Sequence, residues 1–100
     1  MTAFIITRDV IDDGLAVGVV GPGNASEADE ARLKAGEGIE FRLLDDDREV
    51  YYYGRRLEHS DADKDYFSEP EFAPLECWGL PNAGCTIQQE KDASGSWKTL

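Results

Sequence analysis

Residues 39–44, Ile-Glu-Phe-Arg-Leu-Leu, alternate so strictly that an extended chain collects Ile39, Phe41 and Leu43 on one face and Glu40, Arg42 and Leu44 on the other. A helix cannot make that separation, because its side chains repeat every ~3.6 residues instead of every second one. Asp45-Asp46-Asp47-Arg48 supplies a turn, and Val50-Tyr51-Tyr52-Tyr53 resumes the strand chemistry. Closing a two-residue or a four-residue loop pairs Leu44 with Glu49, Leu43 with Val50, Arg42 with Tyr51, Phe41 with Tyr52 and Glu40 with Tyr53. Ile39, Phe41, Leu43, Val50 and Tyr52 then form a core face, and Tyr51 and Tyr53 share a half-exposed face with Arg42 and Glu40.

The flanking sequence adds to this hairpin. Ala3 to Arg8 is apolar and branched and reads as a first strand. Asp12-Asp13-Gly14 signals a turn, and Leu15 to Val20 is apolar on both sides, the pattern of a strand covered on both faces. Gly21-Pro22-Gly23-Asn24 breaks that pattern. Asn24 or Ser26 can then cap a helix from about Ala25 to Ala35, with Asp29 and Glu30 at its positive end and Gly36 placed to stop it. Leu33 is its only large apolar side chain, so it has to lie on a sheet to persist. Residues 57–76 show no sustained period and read as a long acidic loop with one short helical turn at most. A last hairpin spans Cys85 to Glu90 and Ser96 to Leu100.

One hundred residues with 41% apolar composition and ten aromatics make one folded domain over residues 1–100. The element order predicts an α+β class: a mainly antiparallel sheet of about five to six strands, one helix packed on it, and a long acidic loop. The first residues lack a basic leader, and no run approaches the ~20 apolar residues of a membrane span. A cytoplasmic protein is the expectation, with Cys77 and Cys85 more consistent with free thiols than with a bridge.

Charge restricts the function classes. Asp and Glu number 21 against 10 Lys and Arg, a net of −11. Residues 26–47 carry eight acids against Arg32, Lys34 and Arg42, and residues 61–76 carry six against Lys64 alone. Such a chain repels nucleic acid and anionic membranes and attracts basic protein surfaces.

Four motifs bear on chemistry. The glycines between Gly18 and Asn24 match neither dinucleotide nor phosphate-loop spacing, and the acids that follow would repel a phosphate. Asp61-Ala-Asp63-Lys-Asp65-Tyr-Phe67-Ser-Glu69 approaches a calcium loop. Tyr66 stands where a sharp turn requires Gly, however, and Phe72 where a bidentate Glu belongs, so a weak divalent-cation site in the 61–71 loop is a secondary alternative. His59, the only histidine, sits among charged residues and has no catalytic constellation around it. The Tyr51-Tyr52-Tyr53-Gly-Arg55-Arg56 run suits a sheet or a protein interface better than a nucleic-acid strand in so acidic a chain.

These readings converge on a small acidic protein-binding module with no enzymatic activity, no cofactor and no catalytic or metal-ligating residues. Its partner is a basic protein. In a specific form of this reading, carboxylates imitate phosphates and inhibit a nucleic-acid-binding protein, as small phage-type or mobile-element inhibitors of similar charge and size do. Asp45, Asp46, Asp47, Asp61, Asp63, Asp65, Glu69 and Glu71 would supply the field, and Tyr51 and Tyr53 would anchor the contact. The alternative is a structural or self-associating domain, a homodimer included, whose charge serves solubility.

Overall fold

The alternating segment forms strand β3 (Ile39–Leu44) and is hydrogen-bonded to β4 (Val50–Arg56). The computed structural model describes residues 3–11, 14–21, 26–57 and 72–100. The register of this hairpin differs from the predicted one by two residues: Leu43 pairs with Tyr52, Arg42 with Tyr53 and Phe41 with Gly54. One residue comes from the turn. Asp45 N–H donates to the Glu49 carbonyl and Arg48 N–H to the Asp45 carbonyl, both at 3.0 Å, so the loop has three residues, and Arg48 takes the left-handed conformation that ends such loops (φ 65°). The other comes from a bulge that leaves Leu44 opposite Val50 and sets Tyr51 out of the ladder. Because two is an even number, the alternation stays in phase beyond the bulge, and Phe41, Leu43 and Tyr52 still share the buried face, whereas Val50, shifted by one, pairs with Leu44 instead of joining the expected core face.

Six strands make one antiparallel sheet in the order β2-β1-β4-β3-β5-β6, with β1 at Phe4–Asp9, β2 at Val20–Gly21, β5 at Ile87–Lys91 and β6 at Trp97–Thr99. The expected strand over residues 15–20 is reduced to two residues at the sheet edge. Its backbone groups are taken up locally, since Val17 N–H reaches the Gly14 carbonyl, Val19 N–H the Ala16 carbonyl, and Ala16 N–H the Asp9 carboxylate. Leu15 is left 85% exposed, where a covered strand was expected.

Two short helices pack against the sheet. On one face lies α1 (Glu27–Lys34), capped as predicted by Ser26, whose Oγ accepts from Asp29 N–H at 3.1 Å. Its Leu33 is fully buried with Ala3, Ile5 and Leu57. On the other face a π turn (Leu75–Gly79) runs directly into α2 (Leu80–Ala83). This segment covers Phe4, Ile6, Phe41, Leu43 and Tyr52. Residues 58–71 of the predicted acidic loop lie outside the described residues. Two glycines let these layers meet. A Cβ on Gly54 would stand 2.4 Å from the Phe41 ring and 2.3 Å from the Ile5 carbonyl oxygen, and one on Gly79 would stand 2.9 Å from Leu43.

The buried face also holds a charge pair. Arg56 on β4 reaches across β3 to Glu90 on β5 with two nitrogens, one of them at 2.8 Å, and both side chains are nearly buried. Neighbouring Gln88 accepts from Leu75 N–H at 3.2 Å, which ties the π turn to the sheet. Removing one partner would strand the other charge in the interior.

Two measurements test this architecture. Glu90→Ala is expected to lower unfolding free energy in urea by about 3–5 kcal/mol, and the paired replacement Arg56→Met with Glu90→Leu by much less. Gly54→Ala is expected to cost about 1–3 kcal/mol through forced displacement of Phe41, and an unchanged urea midpoint would overturn the close-contact account.

Candidate functional site

Four of the residues predicted to contact a partner meet at the β3–β4 turn. Asp45 is spent on the turn itself: its carboxylate accepts from Asp47 N–H at 2.8 Å, Glu49 N–H at 2.9 Å and the Tyr51 hydroxyl at 2.9 Å. The Glu49 amide does most to hold the Asp45 carboxyl below its ordinary value, with help from the Tyr51 hydroxyl and the Asp47 amide. The same contact raises the Tyr51 phenol. Asp46 accepts from the Thr86 hydroxyl, and Asp47 and Glu49 project as exposed acids.

Tyr53 does not join them. The bulge turns Tyr51 toward the Tyr52 core cluster, whereas Tyr53 faces the opposite layer, edge-on to Trp97 at 6.1 Å with the Arg8 guanidinium 5.5 Å from its ring. The expectation that Tyr51 and Tyr53 share a face is therefore corrected. Asp61, Asp63, Asp65, Glu69 and Glu71 lie outside the described residues, as does His59. Among the described residues no group of three or more His, Cys, Asp or Glu is arranged to hold a metal ion.

Beside the acidic turn lies a cleft that the sequence did not announce. A bulge in β1 between Ile6 and Arg8 brings Asp9 opposite Tyr52 on the covered face. Asp9 is only 8% exposed, and its carboxylate accepts from Ile11 N–H at 3.1 Å and Ala16 N–H at 3.0 Å. Those bonds fold the β1–β2 connection back, so that Leu15, Ala16 and Val19 form one wall of the cleft. Trp78 and Asn82 form the other, and Tyr52 and Asp9 complete the lining. The volume is about 200 Å³.

The π turn sets Trp78 in place. Its ring meets Tyr52 edge-on at 5.8 Å, and its carbonyl accepts from the Asn82 amide at 2.8 Å. The indole Nε1–H is buried and has no acceptor, a cost of roughly 1–3 kcal/mol for a donor of this kind. π turns are rare and recur at functional sites.

Leu15, which lines the cleft, is exposed, as are Val10, Ile11 and Val17 on the same β1–β2 connection and Leu80 on α2. Val10 N–H donates to the Tyr51 carbonyl at 2.9 Å, which joins this apolar patch to the acidic turn. The patch was hidden in the sequence because an apolar run in a turn-rich connection resembles a buried strand.

Cys77 and Cys85 are not joined in a disulfide. Burial pushes Cys85 up to about 11, with Asp45 adding to the shift, and burial followed by Glu76 raises Cys77, the direction opposite to thiolate formation. Comparison of the chain with known protein families, with curated proteins and with solved structures finds no match.

The depressed Asp45 carboxyl carries a pH signature. Its contribution is complete above its ordinary value of 3.8 and is lost as pH falls through the lower folded value. A carboxyl-carbon titration should place the Asp45 midpoint below 3.8, and Asp45→Asn should flatten the acid limb of the stability curve. A midpoint at or above the ordinary value would refute the turn's electrostatics.

Proposed function

We propose that the protein is a non-enzymatic binding module for a basic protein, and that it binds with the end of the sheet carrying the acidic turn and the cleft. The observation that carries this reading is the exposure of Leu15 on the wall of the cleft and of Val10, Ile11 and Val17 on the same connection, which is hydrogen-bonded through Val10 to Tyr51 beside the turn that carries Asp46, Asp47 and Glu49. An apolar centre with a charged rim is the ordinary anatomy of a protein interface. Contiguous apolar exposure beyond scattered single residues is what marks such surfaces.

The charge distribution supports the choice of partner. Five ion pairs are recorded among the described residues: Arg32 with Glu37, Lys34 with Glu30, Arg56 with Glu90, Lys91 with Glu40 and Lys98 with Asp92. None of them includes Asp46, Asp47 or Glu49. The acids of the turn are thus left to act outward, on a chain whose net charge is −11. Mimicry of nucleic acid is the specific form of this function, with these carboxylates and those of residues 61–71 taking the place of phosphates.

The test is recovery of partners from the native host with tagged protein at about 0.05 and about 0.5 M salt. A basic partner should be held at the lower concentration and largely lost at the higher. Leu15→Ser is expected to leave the thermal midpoint unchanged, because Leu15 is 85% exposed, and to weaken the complex by about 1 kcal/mol or more. Recovery of acidic partners only, or of a discrete homodimer indifferent to salt, would sink the proposal.

A further inference from the structure

The face of the sheet opposite the cleft carries the reverse charge. Arg8, Tyr53, Arg42, Gln89 and Thr99 are directly paired neighbours in one row that crosses the sheet from β1 to β6. Paired residues share a face, so two guanidiniums flank one tyrosine. Trp97 and Lys91 stand in the next row, and Glu40, the one acid among the strand residues of this face, is paired with Lys91 at 3.4 Å. Helix α1 covers the far end at Ile5, where Arg55 donates to the Leu33 carbonyl. We infer that the uncovered row docks an acidic segment of a partner protein, with Arg8 and Arg42 each pairing one of its carboxylates. This surface is separate from the acidic turn, and it stands whether or not the basic-partner reading does.

Unspent charge is the first argument. Although acids outnumber basic residues 21 to 10, none of the five ion pairs among the described residues includes Arg8 or Arg42. Arg8 is exposed, and Arg42 is half-buried with its Nε–H donating to Gln89 Oε1 at 2.6 Å. Aromatic support is the second. The Arg42 guanidinium lies 4.5 Å from the centre of the Trp97 ring and that of Arg8 5.5 Å from the centre of the Tyr53 ring. A stacked guanidinium keeps its in-plane N–H groups for a carboxylate. The same stacking disfavours single-stranded nucleic acid, whose bases need open ring faces and whose every phosphate would meet the field of a chain at −11. Spacing is the third. Arg8 and Arg42 stand two strands apart, about 10 Å at ordinary strand separation, which a small anion does not bridge. An extended peptide with an acid at every second residue spans that distance, since its acids stand about 7 and about 13 Å apart. Salt of about 0.15 M screens charges more than about 8 Å away, so the contact pairs outweigh the distant acids. Tyrosine, tryptophan and arginine are also the residue types that dominate protein contacts.

The experiment follows the two indole N–H signals and the backbone amides of the folded protein by NMR in about 0.15 M salt. A capped Glu-Ala-Glu-Ala-Glu peptide, its Gln counterpart and a hexathymidylate strand are added in turn, and Trp97→Phe assigns the indole signals. The Glu peptide should move the Trp97 indole and the Arg8, Arg42 and Tyr53 amides with affinity on the order of millimolar, and the Gln peptide should not. Arg8→Gln should weaken the Glu peptide about threefold and Arg8→Lys by less, with the thermal midpoint unchanged in both because Arg8 is exposed. An equal response to the Gln peptide, or an Arg8→Gln variant that binds as tightly as the parent, would overturn the inference. A stronger response to hexathymidylate than to the Glu peptide would assign the face to single-stranded nucleic acid and overturn it too. Absence of any Trp97 response to the Glu peptide would reject this face as an acidic-segment site. It would leave the basic-partner function untouched, since that contact lies on the other side of the sheet.

Discussion

The contact of the Phe41 ring with the bare backbone of Gly54 is the constraint on which the rest of the sheet depends. Central strand β4 would gain intrinsic strand preference from almost any branched residue at position 54, yet a Cβ there would overlap both Phe41 and the Ile5 carbonyl. The missing side chain lets Phe41 lie across the strand, where Phe4 from β1 meets it edge-on at 6.2 Å. Two strands on opposite sides of β4 thus share one aromatic pair. The Arg56–Glu90 bridge repeats the arrangement in polar form, reaching from β4 over β3 to β5. Hydrogen bonds set neighbour against neighbour, and these two longer contacts hold strands that do not touch directly.

Elements governed by local signals were legible in the sequence. Helix α1 was read from Ser26, the acids of its first turn and the glycine after it, and the last hairpin from the residues flanking Asp92 to Ser96. The antiparallel α+β arrangement followed from their order. What escaped was decided at a distance or by single inserted residues. Bulges at Thr7 and Tyr51 cannot be seen in an alternating pattern, yet they place Asp9 in the cleft and send Tyr51 and Tyr53 to different layers. Proline ordinarily interrupts a helix, yet Pro74 and Pro81 both belong to the helical segment after residue 72. Both stand at the start of a helical turn, where a missing N–H is cheap, so the helical segment survives them. The cleft needed the β1 bulge and the helical segment together.

The two tight turns of the sheet are chemical duplicates. Asp45 and Asp92 each accept with one carboxylate oxygen from the amides two and four residues ahead, and the left-handed position falls on Arg48 in one turn and Gly95 in the other. Both carboxyls are held below their ordinary value by such bonds, although a Ser94 hydroxyl contributes most at Asp92. Some of the acidic excess is therefore architectural. Asp46, Asp47 and Glu49 stand on the first of these turns and enter none of the five ion pairs.

The layer formed by Tyr53, Trp97, Arg8 and Arg42 has a consequence of another kind. Trp97 lies with the Arg42 guanidinium 4.5 Å from its ring on one side of the sheet, while Trp78 meets Tyr52 on the other. The chain contains no further tryptophan. Its tryptophan fluorescence is consequently the sum of two reporters on opposite faces of the sheet, one beside a cation and one set in the apolar layer. If the two layers loosen at different denaturant concentrations, the fluorescence transition will split in two, and the cooperativity of this small fold can be followed without adding a label.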